Sequence, residues 1–118
     1  MQALVAVTIG GGVGSALRYL VSTPLNDRLP ASGTAVVNVV GSLALGVLVG
    51  WYSTREGGGT AGLALGTGLL GGFTTFSAWM AESIDAFDRP GRLALTILLP
   101  VAAGLVAAWV GVLAGRSL

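Results

Sequence analysis

Lysine, histidine and cysteine occur nowhere among the 118 residues. Without cysteine there is no disulfide framework and no thiol chemistry, and without histidine no imidazole metal site. Charge is almost as scarce. Charged residues make up 9% of the chain, against about 25% in an ordinary soluble domain, which places the chain among integral membrane proteins. A net charge of +1 supplies no polybasic patch, so nucleic acid is excluded as a partner. Carboxylates are missing from Met1 to Val21, from Gly33 to Tyr52 and from Leu93 to Leu118. Proton-coupled transporters need an intramembrane ionisable relay, so this distribution favours a passive channel over a pump. Nor is there a nucleophile–base pair or ligand cluster that would support an enzyme.

What is present is apolar. Hydrophobic residues account for 53% of the sequence, gathered into four segments at about 3–21, 34–52, 61–84 and 93–113. Each approaches the roughly 20 residues that a bilayer requires. The expected fold is a single all-α membrane domain over residues 1–118. The first segment is interrupted only by Arg18 and lacks a basic leader and small-residue cleavage site, so it reads as a retained span. Connections follow at Pro24 to Pro30, Ser53 to Gly59 and Asp85 to Arg92. Topology places Arg55 and Arg116 on one side and Arg28, Arg89 and Arg92 on the other, with Arg18 near the latter. This is a weak arginine bias, leaning toward termini outside.

Most of the 20 glycines lie inside the apolar segments, and ten of them pair four apart: Gly10/Gly14, Gly46/Gly50, Gly62/Gly66, Gly68/Gly72 and Gly111/Gly115. That spacing lets membrane helices approach closely. Four short helices enclose little interior, so an ion pathway calls for a second subunit.

Gly71-Gly72-Phe73-Thr74-Thr75-Phe76-Ser77-Ala78-Trp79 sits mid-segment and is poor helix material. A broken helix in a bilayer must line a cavity, bind an ion or lie buried in protein. Thr74, Thr75 and Ser77 either back-bond to carbonyls one turn earlier or offer hydroxyls to an anion, while unwound carbonyls suit a cation. Phe76 and Trp79, three apart, share a face if helix resumes, and their ring edges are electropositive. Asn38, an amide among valines, either bonds between helices or points a donor into an ion path. Arg18 either snorkels to the headgroups or concentrates anions at a pore mouth. Glu82 reads as a solvated helix-end residue.

Three motifs stand in order: Gly-Gly-x-x-Gly-Ser-Ala-x-Arg-Tyr, Gly-Thr-x-x-Val-Asn-x-x-Gly-Ser and Gly-x-x-Gly-Gly-x-Thr-Thr-Phe-Ser, ending at Tyr19, Ser42 and Ser77. Together they resemble the Fluc (CrcB) fluoride channels over the whole chain. The resemblance implies an antiparallel dimer in a bacterial inner membrane, with fluoride pathways along the interface, that exports fluoride passively. It implies a structural sodium ion held by the backbone carbonyls of Gly71 and Thr74, a pore-facing Asn38, and Phe76 as the first of a phenylalanine pair. Arg18 matches the family's first-span arginine. Two departures stand out. Trp79 occupies the place of the second phenylalanine, and the fourth span offers Thr96 as its single hydroxyl where the family has tyrosine and serine. These departures suggest, as the alternative to a homodimer, a non-conducting or pore-impaired subunit of a heterodimer with a paralogous chain, in which one pathway decays. A small multidrug-type transporter is the more remote rival, lacking here its first-span glutamate.

Overall fold

The structure, a computed structural model, describes residues 1–55 and 57–118. Glu56, within the expected second connection, lies outside the described residues. Every regular element described is helical. Helix α1 is Gln2–Asn26, α2 is Ser32–Ser53, α3 covers residues 59–73, α4 is Phe76–Glu82 and α5 is Pro90–Arg116. Counted as spans these are four helices, the third in two pieces. Three of them (α1, α2 and α5) are long and apolar enough to cross a membrane. At 1.5 Å per residue, α3 is about 22 Å long and α4 about 10 Å, so neither piece alone matches a hydrocarbon core of about 30 Å.

The boundaries differ from the sequence reading mainly at the end of α1. The expected turn at Pro24 is absorbed, and the helix continues to Asn26. The cause is tertiary. Asn26 Oδ1 accepts the N–H of Gly33 (2.7 Å) and of Thr34 (3.3 Å), so it caps α2 from the neighbouring helix. The residue that should do so, Ala31, has no side-chain oxygen and sits in the left-handed region at φ 63°. Helix α3 widens to π geometry over Ala64–Leu70, where Gly71 N–H reaches back to Gly66 O. Helix α5 does the same over Ala94–Leu98, just before Pro100.

Packing is by backbone approach rather than by side-chain core. A Cβ on Gly10 would overlap the carbonyl of Ala64, one on Gly14 that of Leu69, and one on Gly72 that of Gly11. These contacts seat α1 against α3. On the other pair of helices, Gly46 and Gly50 meet the carbonyls of Ala108 and Val112, while Gly111 and Gly115 meet those of Leu43 and Val47. Four of the five glycine pairs are therefore spent on backbone approach inside the chain, as small-residue faces in membranes allow. Gly62 and Gly66 differ, facing the Tyr52 and Leu48 side chains.

Among the described residues the largest fully buried side chains are only Val37, Thr34 and Ser83, with Trp79 nearly so, while leucines and valines along α1 and α5 lie open. Water would penalise so much exposed apolar surface. The 48 Å long axis fits a bilayer of about 40–45 Å with its headgroups.

Candidate functional site

The break falls at Thr74 (φ −83°, ψ 156°) and Thr75 (φ −155°, ψ 123°), both extended. Two extended residues inside a helical span free several backbone groups, and the surrounding helices account for most of them. Thr74 still closes α3, giving both its N–H (3.0 Å) and its hydroxyl (3.1 Å) to Leu70 O. Its side chain therefore takes the back-bonding option. Thr75 leaves the helix altogether. Its N–H donates to Asn38 Oδ1 and its carbonyl accepts from Asn38 Nδ2, each at 2.8 Å. The amide of α2 thus pairs with a single extended residue as one strand pairs with another. A continuous helix would have sent that N–H to Gly71, whose carbonyl is consequently released from its helical partner.

From the opposite side, α1 supplies Ser15 and Arg18. Ser15 Oγ lies 3.4 Å from Gly72 O, and Arg18 Nη1 lies 3.3 Å from Thr74 O. Three residues apart, they share one face of α1, and the missing side chain of Gly14 lets that face close on α3. Arg18 therefore turns toward the break and not toward the headgroups. It reaches 56 positions along the chain to the break. With Arg18 turned inward, the connections carry three arginines on one side and two on the other, so the topological bias narrows further.

Gly41 completes the set, since a Cβ there would overlap the Thr74 methyl group. Ser42 Oγ donates to Asn38 O at 2.7 Å. The three motifs read from the sequence are thus three faces of one construction: glycines for approach, and Ser15, Arg18 and Asn38 for the unwound backbone.

A cleft of about 420 Å³ opens beside the break. Asn38, Ser42, Thr75, Phe76 and Trp79 line one side, and Pro100, Val101 and Gly104 of α5 form much of the other. Phe76 and Trp79 do share a face, with ring centroids 6.2 Å apart and planes at 89°. Phe76 is 68% exposed, whereas Trp79 is 4% exposed and donates its indole N–H to Thr96 O at 2.9 Å. Ser77 is exposed and does not border the cleft. Gly71, Thr74, Asn38, Thr75 and Arg18 are brought together at the break, with Phe76 and Trp79 beside it; Ser77 stands apart.

Glu82 is not simply solvated. Its carboxylate accepts the Thr34 hydroxyl and, at 3.1 Å, Asn26 Nδ2, while Asn26 Nδ2 also reaches Thr34 Oγ1 at 3.0 Å. This cluster ties the end of α4 to the end of α1 and the start of α2. Thr34 was visible within the second motif. Asn26 was not, because its role depends on a helix from elsewhere in the chain.

Comparison with known proteins bears on the same residues. Residues 5–112 match the family model described as CrcB-like protein, Camphor Resistance (CrcB). The chain belongs to the CrcB-like family. A relative from Novosphingobium aromaticivorans, named fluoride-specific ion channel FluC, is 42% identical over 125 aligned residues, covering 100% of this chain and 96% of the relative. The protein of the same name from Methylobacterium nodulans is 44% identical over 84% of each chain. Fluoride-specific ion channel FluC 2 of Bacillus licheniformis is 35% identical over 99% of this chain and 89% of its own. This CrcB-like chain is accordingly a multi-pass membrane protein of a non-enzymatic channel family, which sets the small multidrug-type reading aside.

Proposed function

We propose that this chain is a subunit of a fluoride-specific ion channel that lets fluoride leave the cell passively, built as a single four-span domain in the bacterial inner membrane. The observation that carries the reading is the Asn38–Thr75 pairing at the break of a chain whose full-length relatives bear the fluoride-channel name. Fluoride is small and strongly hydrated, so it enters a low-dielectric path only where donors replace its water. The pairing uses one hydrogen of Asn38 Nδ2 and leaves the other for the cleft. Thr75 Oγ1 accepts from Ala78 N–H at 3.4 Å, so its own proton is available as a donor. Phe76 and Trp79 add ring edges, which carry the positive part of the aromatic quadrupole. The guanidinium of Arg18 raises the potential at the break without blocking the cleft side of Thr75.

The reading includes a structural sodium ion on the carbonyls of Gly71 and Thr74. The donor set fits a cation in kind, because Gly71 O has lost its helical partner and no carboxylate among the described residues bonds to the break to cancel the charge. The Thr74 oxygen also serves Arg18. A carbonyl has two lone pairs and can hold both, but the two positive charges oppose one another. Two carbonyls do not complete a coordination shell, so a second copy must contribute its own pair. Exposed Gly71 and Phe76 and the open apolar faces of α1 and α5 support an antiparallel dimer, with lipid covering the remainder.

The heterodimer with a paralogous chain is the second reading. It is favoured by the α5 side of the cleft, where Pro100, Val101, Gly104, Leu105 and Ala108 offer no hydroxyl. The deciding experiment is fluoride efflux from proteoliposomes measured with a fluoride electrode. Robust efflux from this chain alone supports the homodimer, and efflux that needs the paralogue supports the heterodimer. Absence of fluoride efflux from both sets the fluoride reading aside.

A further inference from the structure

Trp79 was the residue that departed from the expected aromatic pair, and the structure gives it a partner. Pro100 has no N–H, so it returns no hydrogen bond to the carbonyl of Thr96, four residues earlier. The helix widens to π geometry immediately before it, over Ala94–Leu98. Into that loosened turn the indole of Trp79 donates, at 2.9 Å to Thr96 O. The ring around this donor is 4% exposed and stands perpendicular to Phe76. The contact also lies between two cavities. Thr96 and Pro100 border the one of about 410 Å³ that includes Glu82 and Arg92. Trp79 and Pro100 border the cleft of about 420 Å³ at the break.

We propose that Trp79 is a positioning residue. Its indole N–H, bound to the carbonyl that Pro100 leaves without its i+4 donor, latches α4 onto α5, and its ring holds Phe76 upright beside the cleft. The latch forms the partition between the two cavities, so its geometry sets the passage from one to the other. Trp79 and Pro100 act as one unit. The proline removes the i+4 donor of this carbonyl, and the tryptophan supplies one in its place, as a proline within a span calls for. On this account Trp79 does not mark a decayed pathway. The effect on transport rests on the fluoride-channel reading, while the latch itself does not.

The test is a double-substitution cycle on the full-length chain, made of Trp79→Phe, Pro100→Ala and both together, read in two ways. Trp79→Phe keeps an aromatic ring and deletes the donor. Fluoride efflux should fall about five- to tenfold, the range expected of one neutral hydrogen bond. Pro100→Ala gives Thr96 its backbone donor, so Trp79→Phe in that background should cost less than twofold. Equal costs in the two backgrounds would overturn the proposal. The second reading is hydrogen exchange of the three indole N–H groups by 15N NMR in detergent, with Trp79 assigned from its loss in Trp79→Phe. Its proton should exchange at least tenfold more slowly than that of Trp109, which is 65% exposed. Exchange as fast as Trp109 would refute the latch even if the chain conducts no fluoride. Slow exchange in a chain without fluoride efflux would uphold the latch and remove the channel reading.

Discussion

Asn38→Ala probes the joint on which the break depends. It leaves the N–H and carbonyl of Thr75, each now bonded at 2.8 Å, without partners. An orphaned buried backbone group costs about 1–3 kcal/mol, so the pair amounts to about 2–6 kcal/mol. The neighbouring cleft, of about 420 Å³ and bordered by Ser42 and Thr75, has room for a water on the freed groups, which moves the expected loss to about 2–3 kcal/mol. Asn38→Asp separates the two halves of the joint. The ionised carboxylate keeps an acceptor for Thr75 N–H but sets an oxygen against Thr75 O where a donor stood. It also places a negative charge beside the anion path. Two unit charges 4 Å apart repel by about 4 kcal/mol at an effective dielectric constant near 20, equivalent to roughly a thousandfold loss of fluoride occupancy. Both variants would be followed by unfolding in detergent and by fluoride-electrode efflux. Asn38→Ala should be the less stable, and Asn38→Asp should abolish efflux while remaining folded. Unfolding of Asn38→Ala within about 0.5 kcal/mol of the parent would refute the claim that this amide holds the break. Undiminished efflux from Asn38→Asp would take Asn38 out of the pathway.

Arg18→Gln removes the positive charge on the Thr74 oxygen. If sodium shares that oxygen, it should bind at about tenfold lower concentration, the equivalent of about 1.4 kcal/mol, read from the sodium dependence of the melting temperature; an unmoved midpoint shows that the two cations do not compete there. Glu82→Ala should destabilise the chain by about 1–2 kcal/mol, because Thr34 and Asn26 lose a charged acceptor. Glu82→Gln keeps an acceptor and should cost less than half as much, so equal melting losses would mean the charge matters more than the hydrogen bonds. Gly14→Val drives a side chain into the Leu69 backbone and should cost about 3 kcal/mol or prevent folding. Gly12→Ala meets nothing within 4 Å and should be neutral or gain up to about 1 kcal/mol in denaturation. A Gly12→Ala loss as large as that of Gly14→Val would contradict the packing of α1 on α3.

Much of this protein is determined by sequence alone, since a bilayer imposes one-dimensional rules. Apolar length sets the spans, and glycine spacing marks the faces that approach. Threonine and glycine side by side within a span mark a helix that breaks. Those signals are local and survive without knowledge of the partner helix. The three ordered motifs likewise point to the family without any geometry.

Tertiary structure decided everything that depends on who meets whom. Asn38 was legible as a costly amide, but both its interhelical and its ion-path readings were open. Its choice of Thr75 exists only because α2 lies along the break. Arg18 looked like an interfacial charge because it stands near the end of a hydrophobic run, yet its guanidinium crosses to a carbonyl of a distant segment. Ser77, equally plausible by composition, faces away because helical periodicity resumes at Phe76 and carries it off the cleft. Asn26 and Glu82, read as loop and helix-end residues, became the knot that joins three helices. Trp79 departs from the expected aromatic pair, and its indole finds an acceptor only because α5 brings Thr96 O beside it. In each case the sequence shows a polar group that must be satisfied, and the fold alone selects the partner that satisfies it.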